Sequence, residues 1–138
     1  MKYLDNVDDT IIYFLTLAKE AQKKAYAPYS CFKVGAAAVG NSSKVYTGCN
    51  VENASYPLSM CAERIAIFKA ISEGESEIKA LYIIGPENEP ISPCGACRQV
   101  IFELARNSTI YLSNCDMTKV IETNSKELLP YGFDLKER

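Results

Sequence analysis

Histidine is absent from this 138-residue chain. No metal ligand and no general acid or base can therefore be an imidazole, the usual proton carrier near neutral pH. Any metal chemistry must be built from thiolates and carboxylates. Long apolar runs are missing too, and none reaches the roughly 18 residues needed to cross a bilayer. The opening Met1-Lys2-Tyr3-Leu4-Asp5 places an acid where a secretory signal has its basic and apolar regions. A cytoplasmic location, away from any membrane, is the expectation. There is no excess of positive charge: 15 Lys and Arg against 17 Asp and Glu leave a net charge of -2. That balance argues against a nucleic-acid partner, whose phosphates reward a basic surface. Repeats, low-complexity tracts and linkers are also lacking, so residues 1–138 are expected to form a single domain. Six cysteines are too sparse for a disulfide scaffold and are read as reduced thiols, some of them binding metal.

What is present reads as alternating helices and strands. Residues 8–25 suit an amphipathic helix: Ile11, Phe14, Leu15, Ala18, Ala21 and Ala25 follow the 3.6 period, Asp8 or Asp9 can cap the start, and Pro28 ends it. Lys33–Val39 and Lys44–Cys49 read as a hairpin around Gly40-Asn41-Ser42-Ser43. Residues 61–73 form a second helix, apolar nearly all round and so buried, with Gly74 as its stop and Glu63 and Arg64 as exceptions near its start. A strand over Ala80–Ile84, a helix over 95–106 and a strand over Thr109–Leu112 imply a right-handed crossover and parallel pairing. Val120-Ile121 adds a short strand and Lys126–Leu129 a turn of helix. The expected fold class is α/β, a three-layer sandwich of a mixed five-stranded sheet with helices on both faces.

Two strings carry the chemistry: Cys61-Ala62-Glu63 and Pro93-Cys94-Gly95-Ala96-Cys97. They supply three thiolates, one ligand short of a closed zinc site, with a carboxylate beside the first. An open metal position next to a carboxylate activates water at neutral pH. Cys94 and Cys97, spaced i, i+3, can reach one ion from a helix's first turn. Cys61 and Glu63 lie about 200° apart on a regular helix, so they can share a site only at a helix mouth. Two helix N-termini facing one ion would favour thiolate over thiol. Three thiolates and Zn²⁺ sum to a negative charge, which Arg64 is placed to offset as a donor to a ligand sulfur; Gln99 or Arg98 can help from the second helix.

Blander readings stand beside this one. Cys94-x-x-Cys97 alone suits a thiol redox pair or half of a structural zinc site. The isolated Cys31, Cys49 and Cys115 are possible fourth ligands, though such cysteines are more often plain core residues. A first-turn glutamate such as Glu63 is commonly just stabilised by the helix dipole. A zinc-binding interaction module without turnover also fits the two strings.

The strings match the three-cysteine variant of the zinc nucleobase deaminase signature. Around them, in order, stand Pro28-Tyr29-Ser30, Phe32-x-Val34-Gly35-Ala36-Ala37, Asn50-Val51-Glu52-Asn53-Ala54, Tyr56-Pro57, Cys61-Ala62-Glu63-Arg64 and Pro93-Cys94-Gly95-Ala96-Cys97-Arg98-Gln99. The set resembles the cytidine deaminases of the small homotetrameric type over about residues 8–135. The resemblance implies that Cys61, Cys94 and Cys97 hold Zn²⁺ and that Glu63 shuttles protons. It further implies that Asn50 and Glu52 bind the ribose 3′-hydroxyl and that Phe32 packs on the nucleoside. Ala54 and Tyr56 would complete the site, partly across a subunit boundary, and Phe133 would stack on the pyrimidine in a neighbouring subunit. The implied reaction is hydrolytic deamination of cytidine and 2′-deoxycytidine. A deaminase of another aminopyrimidine nucleoside is the nearest alternative.

Overall fold

The computed structural model describes residues 1–135; the last three residues of the domain expected over 1–138 lie outside the described residues. Its elements are β1 (Lys2–Tyr3), α1 (Asp9–Gln22), β2 (Gly35–Gly40), β3 (Val45–Cys49), a short 3-10 turn (Tyr56–Leu58), α2 (Ala62–Ser72), β4 (Ile78–Ile84), α3 (Gly95–Leu104), β5 (Thr109–Ser113), β6 (Val120–Asn124) and α4 (Ser125–Leu128). The strands form one mixed sheet in the order β1-β6-β5-β4-β2-β3. Among the strands of the described residues, only β4 and β5 pair in parallel, joined through α3, as the strand-helix-strand pattern predicts.

Alternation along the strands separates the two faces. Ala36, Ala38, Leu81, Ile83, Ile110 and Leu112 point to the side covered by α2 and α3. Ala37, Val39, Tyr82, Ile84 and Val120 point to the side covered by α1 through Ile11, Leu15 and Ala18. Period-two patterning thus feeds two cores from one sheet, giving the expected three layers. Each fully buried Leu or Ile in them contributes about 1.5–3 kcal/mol.

The sheet has six strands rather than five. Lys2 and Tyr3 pair antiparallel with Glu122 and Ile121. A two-residue strand is too short to show a period, so its register is visible only in the folded chain. Helix α1 ends at Gln22, three residues before the sequence-based limit of 25. Tyr26 leaves the helix to pair with the chain after β3, donating its N–H to the Asn50 carbonyl at 3.0 Å and accepting the Glu52 N–H at 2.8 Å. The caps behave as expected. Asp8 Oδ1 accepts the Ile11 N–H at 2.9 Å, and Gly74, at φ +98°, follows α2 in the left-handed conformation that favours glycine.

Strand β2 is made of Gly35, three alanines, Val39 and Gly40, and all six residues are buried. This lack of volume lets helices approach the sheet from both sides. A Cβ on Gly35 would lie 1.9 Å from the Ala18 carbonyl oxygen of α1. A Cβ on Gly48, in β3, would lie 2.5 Å from the Ala62 carbonyl oxygen at the start of α2. Both obstacles are backbone, so neither can be relieved by a rotamer change. Gly48→Ala is expected to push α2 outward at a cost of about 1–3 kcal/mol, read as a lower midpoint in thermal unfolding. An unchanged midpoint would mean that the β3–α2 contact is not tight.

Candidate active site

Three strand ends meet at one margin of the sheet. Gly35, the first residue of β2, pairs with Cys49 at the end of β3 and with Ile84 at the end of β4. The segment entering β2 carries Phe32. The segment leaving β3 carries Asn50 and Glu52. The segment leaving β4 reaches Cys94 and α3. Residues distant in sequence are thus gathered beyond the sheet, the usual place for a ligand crevice in α/β folds. An antiparallel bridge between Val51 and Met60, with both N–H···O bonds at 2.9 Å, sets the Asn50–Glu52 segment beside Cys61.

Both cysteine-bearing strings open a helix. Cys61 is the N-cap of α2 at φ -78°, ψ 153°, and Cys94 is the N-cap of α3 at φ -65°, ψ 167°. Each is extended, outside its helix, so Cys61 escapes the 200° separation that a regular helix would impose on it and Glu63. Cys97, one turn into α3, gives its backbone N–H to Cys94 Sγ at 3.4 Å. The Sγ atoms of Cys61, Cys94 and Cys97 all lie within 4.8 Å of one another.

This donor set fits zinc. Zn–S bonds of about 2.3 Å in a tetrahedron place ligand sulfurs about 3.8 Å apart, and Cys61 Sγ and Cys94 Sγ are separated by 3.8 Å. Hydrogen bonding from Cys97, then the Arg64 guanidinium, bring the Cys61 thiol down to about 5. Arg64 Nη2 donates to Cys61 Sγ at 3.2 Å, and the same contact holds the guanidinium firmly charged. The hydrogen bond to Cys61 and burial push the Cys97 thiol the other way. One of the thiols is therefore primed to take up the cation, and a bound cation would draw off the remaining protons.

Glu63 is buried, with 4% of its surface exposed. Its Oε2 accepts from Cys97 Sγ at 3.7 Å, which sets the carboxyl against the sulfur cluster. Burial pushes its protonation upward, with the charge on Cys61 adding to the effect. A carboxyl so placed can hold a proton close to where a metal site would activate water.

The residues expected to face a sugar form a bonded group. Asn50 Oδ1 accepts the Val34 N–H at 2.8 Å and its Nδ2 donates to the Phe32 carbonyl at 2.7 Å. Glu52 Oε1 accepts the N–H groups of Tyr29 and Ser30 at 3.0 and 3.1 Å, and Ser30 Oγ donates to Glu52 Oε2. Phe32 is half-buried against the core. Ser30, two residues ahead of Phe32 in Pro28-Tyr29-Ser30, was not among the expected site residues but joins this bonded group.

Ala54 and Tyr56 lie on the exposed stretch after β3. The Tyr56 ring meets Tyr29 edge-on with centroids 6.0 Å apart. Phe133 is 52% exposed. Gln99 and Arg98 are directed away from the sulfurs. Gln99 Nε2 donates to the Phe133 carbonyl at 2.9 Å. Arg98 donates to the carbonyls of Pro93 and Leu128, each at 2.8 Å. Gln99 thus ties the chain after α4, and Arg98 the last residue of α4, to the turn bearing Cys94 and Cys97; the Leu128 carbonyl is one of those left open at a helix end. Cys31 is exposed and Cys49 and Cys115 are half-buried, so none sits in the core and none joins the sulfur cluster.

Residues 8–113 match the family described as the cytidine and deoxycytidylate deaminase zinc-binding region. A cytidine deaminase of Sporosarcina psychrophila is 45% identical over 121 residues, covering 87% of this chain and 88% of the relative. A crystal structure of cytidine deaminase from Burkholderia pseudomallei superposes with a TM-score of 0.84 at 48% identity, covering 88% of this chain and 98% of that one. The crystal structure of the Mycobacterium tuberculosis cytidine deaminase gives a TM-score of 0.77 at 36% identity, covering 94% and 100%.

Proposed function

The chain belongs to the cytidine and deoxycytidylate deaminase family, and from that premise we propose that it hydrolyses cytidine and 2′-deoxycytidine to uridine and 2′-deoxyuridine, releasing ammonia. The observation that carries this reading is the buried Glu63 carboxyl set against three sulfurs spaced for zinc. Zinc, when bound, supplies a Lewis acid that lowers the pKa of water toward about 7. Glu63 accepts the proton that water gives up and delivers it to ring N3 as the water oxygen adds to C4. It then takes the proton of the new C4 hydroxyl and passes it to the exocyclic amine, so that C–N cleavage releases ammonia and leaves the C4 carbonyl. Proton transfer by a positioned group of this kind accounts for about 10²–10⁴-fold of rate.

Around this centre, Arg64 offsets the charge of three thiolates. Phe32 packs against the nucleoside, and Asn50 and Glu52 take the sugar 3′-hydroxyl. The second Nδ2 hydrogen of Asn50, beyond the one given to Phe32, is available to a ligand. Net acidity favours a free nucleoside over a polynucleotide. The protein works as a cytoplasmic homotetramer in this reading, with Ala54, Tyr56 and Phe133 closing sites between subunits. The exposure of Tyr26, Tyr29, Tyr56 and Leu58 supports it, since aromatic surface of this kind suits an interface. No described helix is long and apolar enough to cross a membrane.

Loss of cytidine absorbance on incubation with the purified protein tests the reading, with zinc and mass measured on the same sample. Turnover that stops on chelation and returns with zinc is expected, from a particle of four chains. Zinc-loaded protein inert on both cytidine and 2′-deoxycytidine would favour another aminopyrimidine nucleoside or a module without turnover. Zinc-free protein that cycles a Cys94–Cys97 disulfide would favour redox chemistry.

A further inference from the structure

Ser30 takes no part in the chemistry above, yet three of the residues that do are joined through it. Its hydroxyl donates to Glu52 Oε2 and accepts the Phe32 N–H at 3.1 Å. Phe32 in turn accepts from Asn50 at its carbonyl. Glu52, Ser30, Phe32 and Asn50 are therefore one chain of hydrogen bonds. The turn that allows it is at Cys31, whose φ of 55° puts the backbone in the left-handed region and folds the Ser30 hydroxyl back onto the next N–H but one.

The donor count gives this arrangement a direction. A serine hydroxyl has one hydrogen and two lone pairs. Here the hydrogen goes to Glu52 and one lone pair to Phe32. A carboxylate has about four acceptor positions; Tyr29 N–H, Ser30 N–H and the Ser30 hydroxyl occupy three of them on Glu52. The bond from Ser30 also holds the Glu52 protonation below its ordinary range, so the group stays an acceptor. Ser30 and its bonds are exposed, where water would otherwise satisfy both partners. The fold gains little from the bond, and its effect is on geometry.

We propose that Ser30 is a positioning residue for sugar recognition: it directs the remaining acceptor position of Glu52 at the nucleoside 3′-hydroxyl and fixes Phe32 in the same bonded chain. The inference rests on the reading that Glu52 takes that hydroxyl.

The test compares wild type, Ser30→Ala and Ser30→Thr on cytidine and on 3′-deoxycytidine. With Ser30→Ala, KM for cytidine is expected to rise about tenfold at nearly constant kcat, the pattern of lost ground-state binding. KM for 3′-deoxycytidine should change less than about twofold, because the group that Glu52 would receive is gone. Ser30→Thr, which keeps the hydroxyl, should recover most of the cytidine affinity. The ratio of kcat/KM for the two substrates, taken on one sample, is independent of the fraction folded, so partial unfolding of a variant does not obscure the result. An equal loss on both substrates would overturn the role of Ser30 while leaving Glu52 as the sugar contact. A wild-type protein that turns over both substrates equally well would remove the Glu52 contact, and the proposal with it.

Discussion

Glu63→Gln is expected to bind zinc as the parent does and to lose about 10²–10⁴-fold in kcat. The amide keeps the shape of the side chain but can neither take a proton from water nor return one to the leaving amine. Its effect on stability runs the other way. Burial already works against the charged form of Glu63, so a neutral isostere removes a cost of folding, and the unfolding midpoint should hold or rise. Steady-state kinetics, metal analysis and calorimetry on one preparation separate these effects. A variant with full zinc and turnover within about threefold of the parent would displace Glu63 from the centre of the mechanism.

Cys97→Ala is expected to abolish turnover by a different route. Cys97 is 1% exposed, and its sulfur lies 3.7 Å from Glu63 Oε2 and within 4.8 Å of the other two sulfurs. Without it two thiolates remain, too few for the closed side of a catalytic zinc site. Zinc content should fall, and with it the stabilisation that a tightly bound ion gives the folded state, about 4 kcal/mol at a thousandfold excess over Kd. The loss therefore has a signature: chelated parent and chelated variant should unfold at similar temperatures, whereas the zinc-loaded parent should be clearly higher. Cys31→Ala, at an exposed position outside the cluster, should change neither property. A Cys97→Ala protein with full zinc and activity would show that the ion sits elsewhere.

The cluster of three sulfurs was legible in the sequence because its elements are local. Cys61-Ala62-Glu63-Arg64 and Pro93-Cys94-Gly95-Ala96-Cys97 each open a helix, and a helix start places N-cap and first-turn residues by backbone geometry alone. The layers were legible for a similar reason, since Leu81, Ile83, Ile110 and Leu112 alternate with residues of the opposite face. What stayed hidden depends on contacts distant in sequence. The early end of α1 follows from pairing of Tyr26 with the chain after β3, and β1 exists only through Glu122 and Ile121. Gln99 has suitable chemistry for a sulfur and is nonetheless turned toward Phe133, which no local pattern discloses. Asn50 and Glu52 are read from sequence as ligand contacts, while the fold also makes them the braces of the segment around Phe32.

Strand β2 has a further consequence. Gly35, Ala36, Ala37 and Ala38 separate α1 from α2 without a single rotatable side-chain torsion among heavy atoms. Glycine and alanine have no rotamer entropy to lose on folding and none to release on warming. These four residues beneath the helix that carries Glu63 therefore have one side-chain state, and rotamer exchange among them cannot be a source of positional noise at the Glu63 carboxyl.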